Sequence, residues 1–93
     1  MGKFRVTLTS KAKNDVTKHY KSGNKATIKK IEVILFELSE HPYIGIGQPE
    51  QLKHNLQGFW SRRINQKDRM IYCVDNDTVI VEVVSAVGHY TDK

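Results

Sequence analysis

Apolar and polar positions alternate over residues 3–9, with Phe4, Val6 and Leu8 on one side and Arg5 and Thr7 on the other. A period of two predicts a half-buried strand. The period then changes. Ala12, Val16 and Tyr20 recur every fourth residue and predict a short helix from Ser10, whose hydroxyl offers a cap, to about Lys21. Gly23 and Asn24 break that helix. Ile28, Ile31, Ile34, Leu35 and Leu38 form a longer stripe and predict a second helix over Lys25–Glu40, ended by His41-Pro42 because a residue before proline resists the α conformation. Residues 42–57 contain Gly45, Gly47 and Pro49 and read as an ordered loop. Three strands are predicted after it, over 59–64, 69–74 and 78–87, joined by the short turns 65–68 and 75–77. Such short connections make these strands antiparallel neighbours. The expected fold class is α+β in the order β-α-α-β-β-β, with two helices packed on one face of an antiparallel sheet and the other face left for a ligand.

Ninety-three residues allow one domain, 1–93, with a modest core. No apolar run reaches the roughly 18 residues of a membrane span, and the opening residues lack the apolar stretch of a signal peptide, so a cytoplasmic protein with no membrane partner is expected. Cys73 is the only cysteine, which rules out an internal disulfide; it sits in the apolar run 70–74 and reads as a small buried core residue. No ligand cluster for a metal is evident in the pattern of residues, and no cofactor is expected. The net charge of +5 is unevenly spread: residues 1–30 hold nine Lys/Arg against the single acid Asp15, whereas residues 31–50 hold four Glu and no base. A positive N-terminal third suits a polyanionic partner but does not by itself distinguish nucleic-acid binding from a solvated surface.

The informative chemistry lies in the second half, where polar groups interrupt strands that would otherwise be apolar. Trp60-Ser61-Arg62-Arg63 places two arginines in one strand, on opposite faces. Arg69 opens the next strand, the last one runs into Gly88-His89-Tyr90, and Glu50, Lys53 and His54 lie in the loop that leads to the first. Each has an ordinary reading as a surface charge or tail residue; His19 and His41 have no other, and are expected to be structural.

Taken together they resemble a family. Residues 47–64, Gly-Gln-Pro-Glu-Gln-Leu-Lys-His-Asn-Leu-Gln-Gly-Phe-Trp-Ser-Arg-Arg-Ile, are similar to the G-x-P-E-x-L-K-x-x-L-x-G-x-W-S-R-R-I signature of YoeB/Txe toxins, in the RelE/ParE superfamily. Arg69-Met70-Ile71-Tyr72 continues the likeness, as do His89-Tyr90. The resemblance implies a type II toxin: an endoribonuclease, independent of metal, that cleaves messenger RNA on the ribosome through attack of a ribose 2′-hydroxyl on the adjacent phosphate. It implies Glu50 as general base, His89 as general acid, Arg69 as the phosphate clamp and Tyr90 as the residue that orients substrate, with Lys53, His54, Arg62 and Arg63 as supporting cations or RNA contacts. Its implied partners are a YefM/Axe-like antitoxin with an acidic flexible segment, the ribosome and messenger RNA, a possible second copy of the chain, and DNA reached indirectly through the antitoxin complex.

Two departures from the family pattern bear on the site. Gly88 precedes His89 where some relatives carry a bulkier side chain, which is expected to loosen His89, and Thr91-Asp92-Lys93 extend past the tyrosine. Two other functions remain open on the residues alone: a toxin of the same fold that poisons a topoisomerase, and an RNA-binding module without catalysis. The first has no need of Glu50, Arg69 and His89-Tyr90 together. The second does not explain an acid where phosphate should bind.

Overall fold

The computed structural model describes residues 3–88. Its elements are β1 (Arg5–Leu8), α1 (Ser10–Ser22), α2 (Lys25–Glu40), β2 (Glu50–Gln51), a 3₁₀ turn (His54–Leu56), β3 (Phe59–Arg63), β4 (Arg69–Asp75) and β5 (Ile80–Ser85). Both helices match the expected spans, and each has a capped start. Thr9, rather than Ser10, caps α1 by accepting from the Ala12 N–H, and Asn24 caps α2 by accepting from the Thr27 N–H.

The sheet corrects one expectation. It has five strands in the order β1-β5-β4-β3-β2, and it is mixed: β1 runs parallel to β5, while every other neighbouring pair is antiparallel. The helical hairpin between β1 and β2 acts as a crossover, so β1 reaches the far edge beside the last strand and lies parallel to it. The loop over 42–57 is also less plain than expected, because Glu50 and Gln51 pair with Ser61 and Trp60 and add an edge strand. The last strand is shorter than predicted. Asp75 closes the preceding turn by accepting from the Asp77 and Thr78 N–H groups, and Val79 takes a positive φ of 57°, so regular strand begins only at Ile80.

One face of the sheet carries the core. Ile31, Ile34 and Leu38 of α2 and Ala12 of α1 pack on Met70, Tyr72, Val81 and Val83, joined by Phe4, Ile64 and Ala86. The α2 stripe is the one expected. The α1 stripe is not: Tyr20 is exposed and bonds Glu32, while Asp15 and His19 are buried beside Ala12. Two polar residues face inward because both hold the same peptide. Asp15 Oδ2 accepts from the Ala86 N–H at 3.0 Å, and His19 Nε2 lies 2.7 Å from the Ala86 carbonyl, which requires the ring to donate there.

Burial alone would raise the Asp15 carboxyl, but hydrogen bonds from Lys11 at 2.8 Å and from Ala86 outweigh it and hold the group below its ordinary 3.8. A carboxylate depressed by folding stabilises the native state above its unfolded pKa, and that contribution is lost as pH falls through the lower folded value. The expected result is a Tm that falls steeply on acidification below about pH 4, and falls less steeply in Asp15→Asn, which keeps an acceptor for Ala86 but has no charge to lose. Thermal melts across the acid range check this; an unchanged slope in the variant would show that Asp15 does not set it.

Candidate active site

The face of the sheet opposite the helices is where the chemistry gathers. Side chains alternate across a strand, so cross-strand partners share a face. Tyr72 and Met70 point into the core, which puts their pairing partners Trp60 and Arg62 on the core side and leaves Ser61 and Arg63 on the helix-free side. Glu50 stands opposite Ser61, and Arg63 stands opposite Arg69. A patch that crosses three strands therefore holds Glu50, Ser61, Arg63 and Arg69, drawn from stretches separated by up to 19 residues.

Within the patch Arg69 is the hub. Its Nη1 donates to Ser61 Oγ at 3.1 Å and reaches Glu50 Oε1 at 3.5 Å, and its side chain is 20% exposed against 64% for Glu50. The guanidinium is thus braced from beneath by a buried serine, while the carboxylate stands in solvent on an edge strand. The Arg69–Glu50 contact is at the long limit of a hydrogen bond, and an exposed pair of this kind contributes about 0–1 kcal/mol. It leaves the carboxylate available. The direct opposition of Arg63 and Arg69 is unfavourable for the sheet itself, since like charges facing one another across strands repel. An anion placed between them removes that cost.

Lys53 and His54 lie at the start of the 3₁₀ turn, exposed, just beyond β2. His54 holds a positive φ of 58° there. His89 and Tyr90 lie outside the described residues. The segment leading to them is placed: Gly88 has φ +82°, its N–H donates to Asp68 Oδ1 at 2.9 Å, and its carbonyl accepts from the Arg69 N–H at 2.7 Å. The looseness expected of His89 lies outside the described residues; at Gly88 itself both backbone polar groups are bound.

Arg62 requires correction. It is on the opposite face from Arg63, as the alternation predicted, but that face is the core, and the side chain is fully buried. All five guanidinium hydrogens have acceptors: Tyr72 Oη at 3.3 Å, Glu37 Oε1 at 2.6 Å, and the carbonyls of His41 at 2.9 Å, Ile44 at 2.7 Å and Ile46 at 3.4 Å. Such a group cannot contact RNA. It organises the loop after α2, with help from Glu37 Oε1, which accepts from the Ile46 N–H, and from Tyr72 Oη, which donates to Pro42 O. Burial pushes the Tyr72 phenol above its ordinary value despite the nearby guanidinium. The loop then docks on β3 at Gly47, whose carbonyl accepts from the Arg63 N–H at 2.7 Å; a Cβ there would sit 2.8 Å from Arg63 O. Three residues later the chain presents Glu50.

Cys73 is half-buried rather than in the core. It lies on the helix-free face, in a concavity of about 340 Å³ shared with Thr7, Asp75, Thr78 and Glu82. Burial raises its thiol pKa, and Glu82 and Asp75 add to the effect, so the thiolate needed for reactivity is suppressed. None of the residues expected in the site lines this concavity. Ser61 and Asp68 are the contributors that sequence reasoning missed. Serine in the Trp-Ser-Arg-Arg run was a legible signal, but Asp68 looked like a turn residue.

The family model for the YoeB-like toxin of bacterial type II toxin-antitoxin systems matches residues 8–90. The chain belongs to the YoeB-like toxin family. Toxin YoeB of Streptomyces coelicolor is 34% identical over 87 residues, which is 94% of this chain and all of the relative. Among solved structures, the YoeB dimer from Staphylococcus aureus superposes with a TM-score of 0.78 at 35% identity, over 95% of this chain and 99% of that one. The heterotetrameric YoeB-YefM toxin-antitoxin complex from the same organism gives 0.76 at 35% identity, over 94% and 98%. As a YoeB-like toxin, the chain has the two-helix, mixed-sheet fold of those structures, and its Glu50–Ser61–Arg69–Arg63 patch falls within the matched region. No helix among the described residues is long and apolar enough to cross a membrane, and among them no group of three or more His, Cys, Asp or Glu is arranged to hold a metal ion.

Proposed function

We propose that this YoeB-like toxin is an endoribonuclease that cuts messenger RNA on the ribosome, without metal or cofactor, and so stops translation. The observation that carries the reading is the patch on the helix-free face, where an exposed carboxylate stands beside two arginines that face each other across β3 and β4. An acid in a phosphate-binding site repels its ligand unless it has a proton to take. In the reaction, Glu50 takes the proton of a ribose 2′-hydroxyl, the 2′-oxygen forms a bond to the adjacent phosphorus, and the bond from phosphorus to the 5′-oxygen of the next nucleotide breaks. His89 gives a proton to that departing oxygen. The products are a 2′,3′-cyclic phosphate and a 5′-hydroxyl. Arg69 clamps the phosphate oxygens with its planar fork, Arg63 adds charge where negative charge grows, and Tyr90 orients the substrate, with Lys53 and His54 at the rim of the patch. Arg62 has no place in this scheme.

The staphylococcal YoeB-YefM complex and YoeB dimer support a YefM-like antitoxin and a second copy of the toxin as partners; in this reading an acidic flexible segment of the antitoxin covers the positive surface. DNA is reached only through the antitoxin complex. The cytoplasm, where ribosomes work, is the expected compartment, and residues 1–93 act as one toxin domain.

Dependence on the ribosome follows from the need to align the reacting groups. A carboxylate extracts a ribose proton productively only if the hydroxyl is already in line with the phosphate, and alignment of this kind supplies about 7–11 kcal/mol of a barrier in well-oriented systems. A free strand is not aligned, whereas a translated message is held along a fixed path. Six exposed lysines on α1 and α2, from Lys11 to Lys29, leave the helix side free to meet ribosomal RNA while the sheet side meets the message. Single-turnover cleavage of one message, free and programmed on ribosomes at matched salt, is expected to be fast and at a defined position only on the ribosome. Equal rates would remove the ribosome from the mechanism.

A further inference from the structure

We propose that Asp68 is a positioning residue for cleavage: its buried carboxylate holds the stem from which His89 departs and keeps it beside the phosphate clamp. The proposal rests on the reading of His89 as the general acid. The stem is fixed without a regular ladder. The pairing of β4 with β5 ends at Ile71–Ser85, after a register shift. Beyond it, the chain is held by separate contacts from two directions. On one side α1 grips Ala86, through Asp15 at its N–H and His19 at its carbonyl. On the other, residues 68 and 69 grip Gly88: Asp68 Oδ1 accepts its N–H at 2.9 Å and the Arg69 N–H donates to its carbonyl at 2.7 Å.

The geometry ties two functional residues together. Arg69 directly follows Asp68, and His89 directly follows Gly88, so one pair of hydrogen bonds joins the backbone that carries the clamp to the backbone that leads into the acid. The Gly88 carbonyl, from which the chain continues, stays next to Arg69 for as long as Gly88 is bound. Gly88 holds φ +82°, a conformation that costs an L residue about 1–2 kcal/mol and that glycine adopts freely, so the direction in which the chain leaves depends on this residue and its two bonds.

Asp68 is itself held in place. It is 6% exposed, its Oδ2 accepts from Asn65 Nδ2 at 3.1 Å, and its own N–H is received by Asn65 Oδ1 at 2.8 Å. The turn over 65–68 thus presents one carboxylate oxygen, pre-oriented, to the Gly88 N–H. For joining β3 to β4 this turn has no need of an acid that reaches a third segment. The reach to residue 88 serves the segment that follows.

The test separates placement of the acid from general damage to the fold. A ribosome-bound message is prepared with either the normal 5′-oxygen or a bridging sulfur at the scissile position. A sulfur leaving group departs without being protonated, so a variant whose defect is a misplaced acid recovers on it, and a variant with a damaged clamp or fold does not. Asp68→Ala is expected to cut the oxygen substrate roughly tenfold or more slowly, a partial loss of the roughly 10²–10⁴-fold contribution of a general acid, with KM within about twofold, and to regain most of its rate on the sulfur substrate. Asp68→Asn keeps an oxygen for the Gly88 N–H but turns an amide donor toward Asn65 Nδ2, and is expected to fall between wild type and Asp68→Ala on the oxygen substrate and to match wild type on the sulfur substrate. If Asp68→Ala does not fold, Asp68→Glu, which keeps the charge but displaces the acceptor by one methylene, is expected to show the same recovery. Wild-type cleavage of the oxygen substrate by folded Asp68→Ala, or equal slowing on both substrates, overturns the proposal. His89→Ala is run alongside. Recovery on sulfur for His89→Ala but not for the Asp68 variants removes the positioning role alone, whereas no recovery for His89→Ala removes the general-acid reading and this proposal with it.

Discussion

Glu50→Gln is expected to slow cleavage on the ribosome by roughly 10²–10⁴-fold, the usual contribution of a positioned general base, with little change in folding. The substitution keeps the shape of the side chain and removes only its ability to hold a proton. The fold does not depend on that charge. Glu50 lies on a two-residue edge strand, its side chain is 64% exposed, and its contact with Arg69 is 3.5 Å long. Loss of so exposed a pair changes stability by about 0–1 kcal/mol. Single-turnover rates on a programmed message, with melting curves for both proteins, separate the two effects. A variant that cuts as fast as the wild type would remove Glu50 from the chemistry, and one that is slow because its Tm has collapsed would make Glu50 a structural residue.

Arg62→Met is expected to produce the largest loss of stability, about 3–5 kcal/mol, as is usual when one member of a buried ion pair is removed. Methionine approximates the volume but donates nothing. It strands Glu37, which is only 18% exposed at the side chain, and the carbonyls of His41, Ile44 and Ile46, and it leaves Tyr72 without its second partner. In a domain of this size each kcal/mol moves Tm by about 4–8 °C, so even the lower figure implies a fall of roughly 12 °C or more. The double variant Arg62→Met, Glu37→Met is expected to recover part of the loss, because an apolar pair avoids the stranded charge. A loss for the single variant below about 1 kcal/mol, where ordinary surface changes fall, would show that the guanidinium is not the centre of the loop. Backbone hydrogen exchange over residues 41–47 is expected to accelerate more than exchange in β4 or β5, since the carbonyls that Arg62 binds belong to that loop.

Arg62 and Arg63 show the limit of what alternation conveys. Their opposition across the strand follows from a period of two and was legible at once. Which of the two met solvent was not, because an arginine with all five donors satisfied by a distant glutamate, a tyrosine and three loop carbonyls has no local signature. The same holds on α1, where apolar periodicity favoured Tyr20 and the buried partners proved to be Asp15 and His19, whose reason for facing inward, the Ala86 peptide, lies 67–71 residues away.

By itself the sequence determined both helices with their spans, the antiparallel order of the three C-terminal strands, the family, and the grouping of Glu50, Arg63 and Arg69 as candidates, because each of these is written in local periodicity, turn chemistry or an ordered motif. Only the tertiary structure decided that β1 lies parallel to β5, that Glu50 begins an edge strand, that Arg62 is a core residue, that Ser61 braces Arg69, and that Asp68 holds Gly88. All five depend on contacts between segments distant in the chain. There the cost of leaving a backbone or charged group without a partner, about 1–3 kcal/mol for a buried neutral group and more for a charge, outweighs the weak local preference of any single residue.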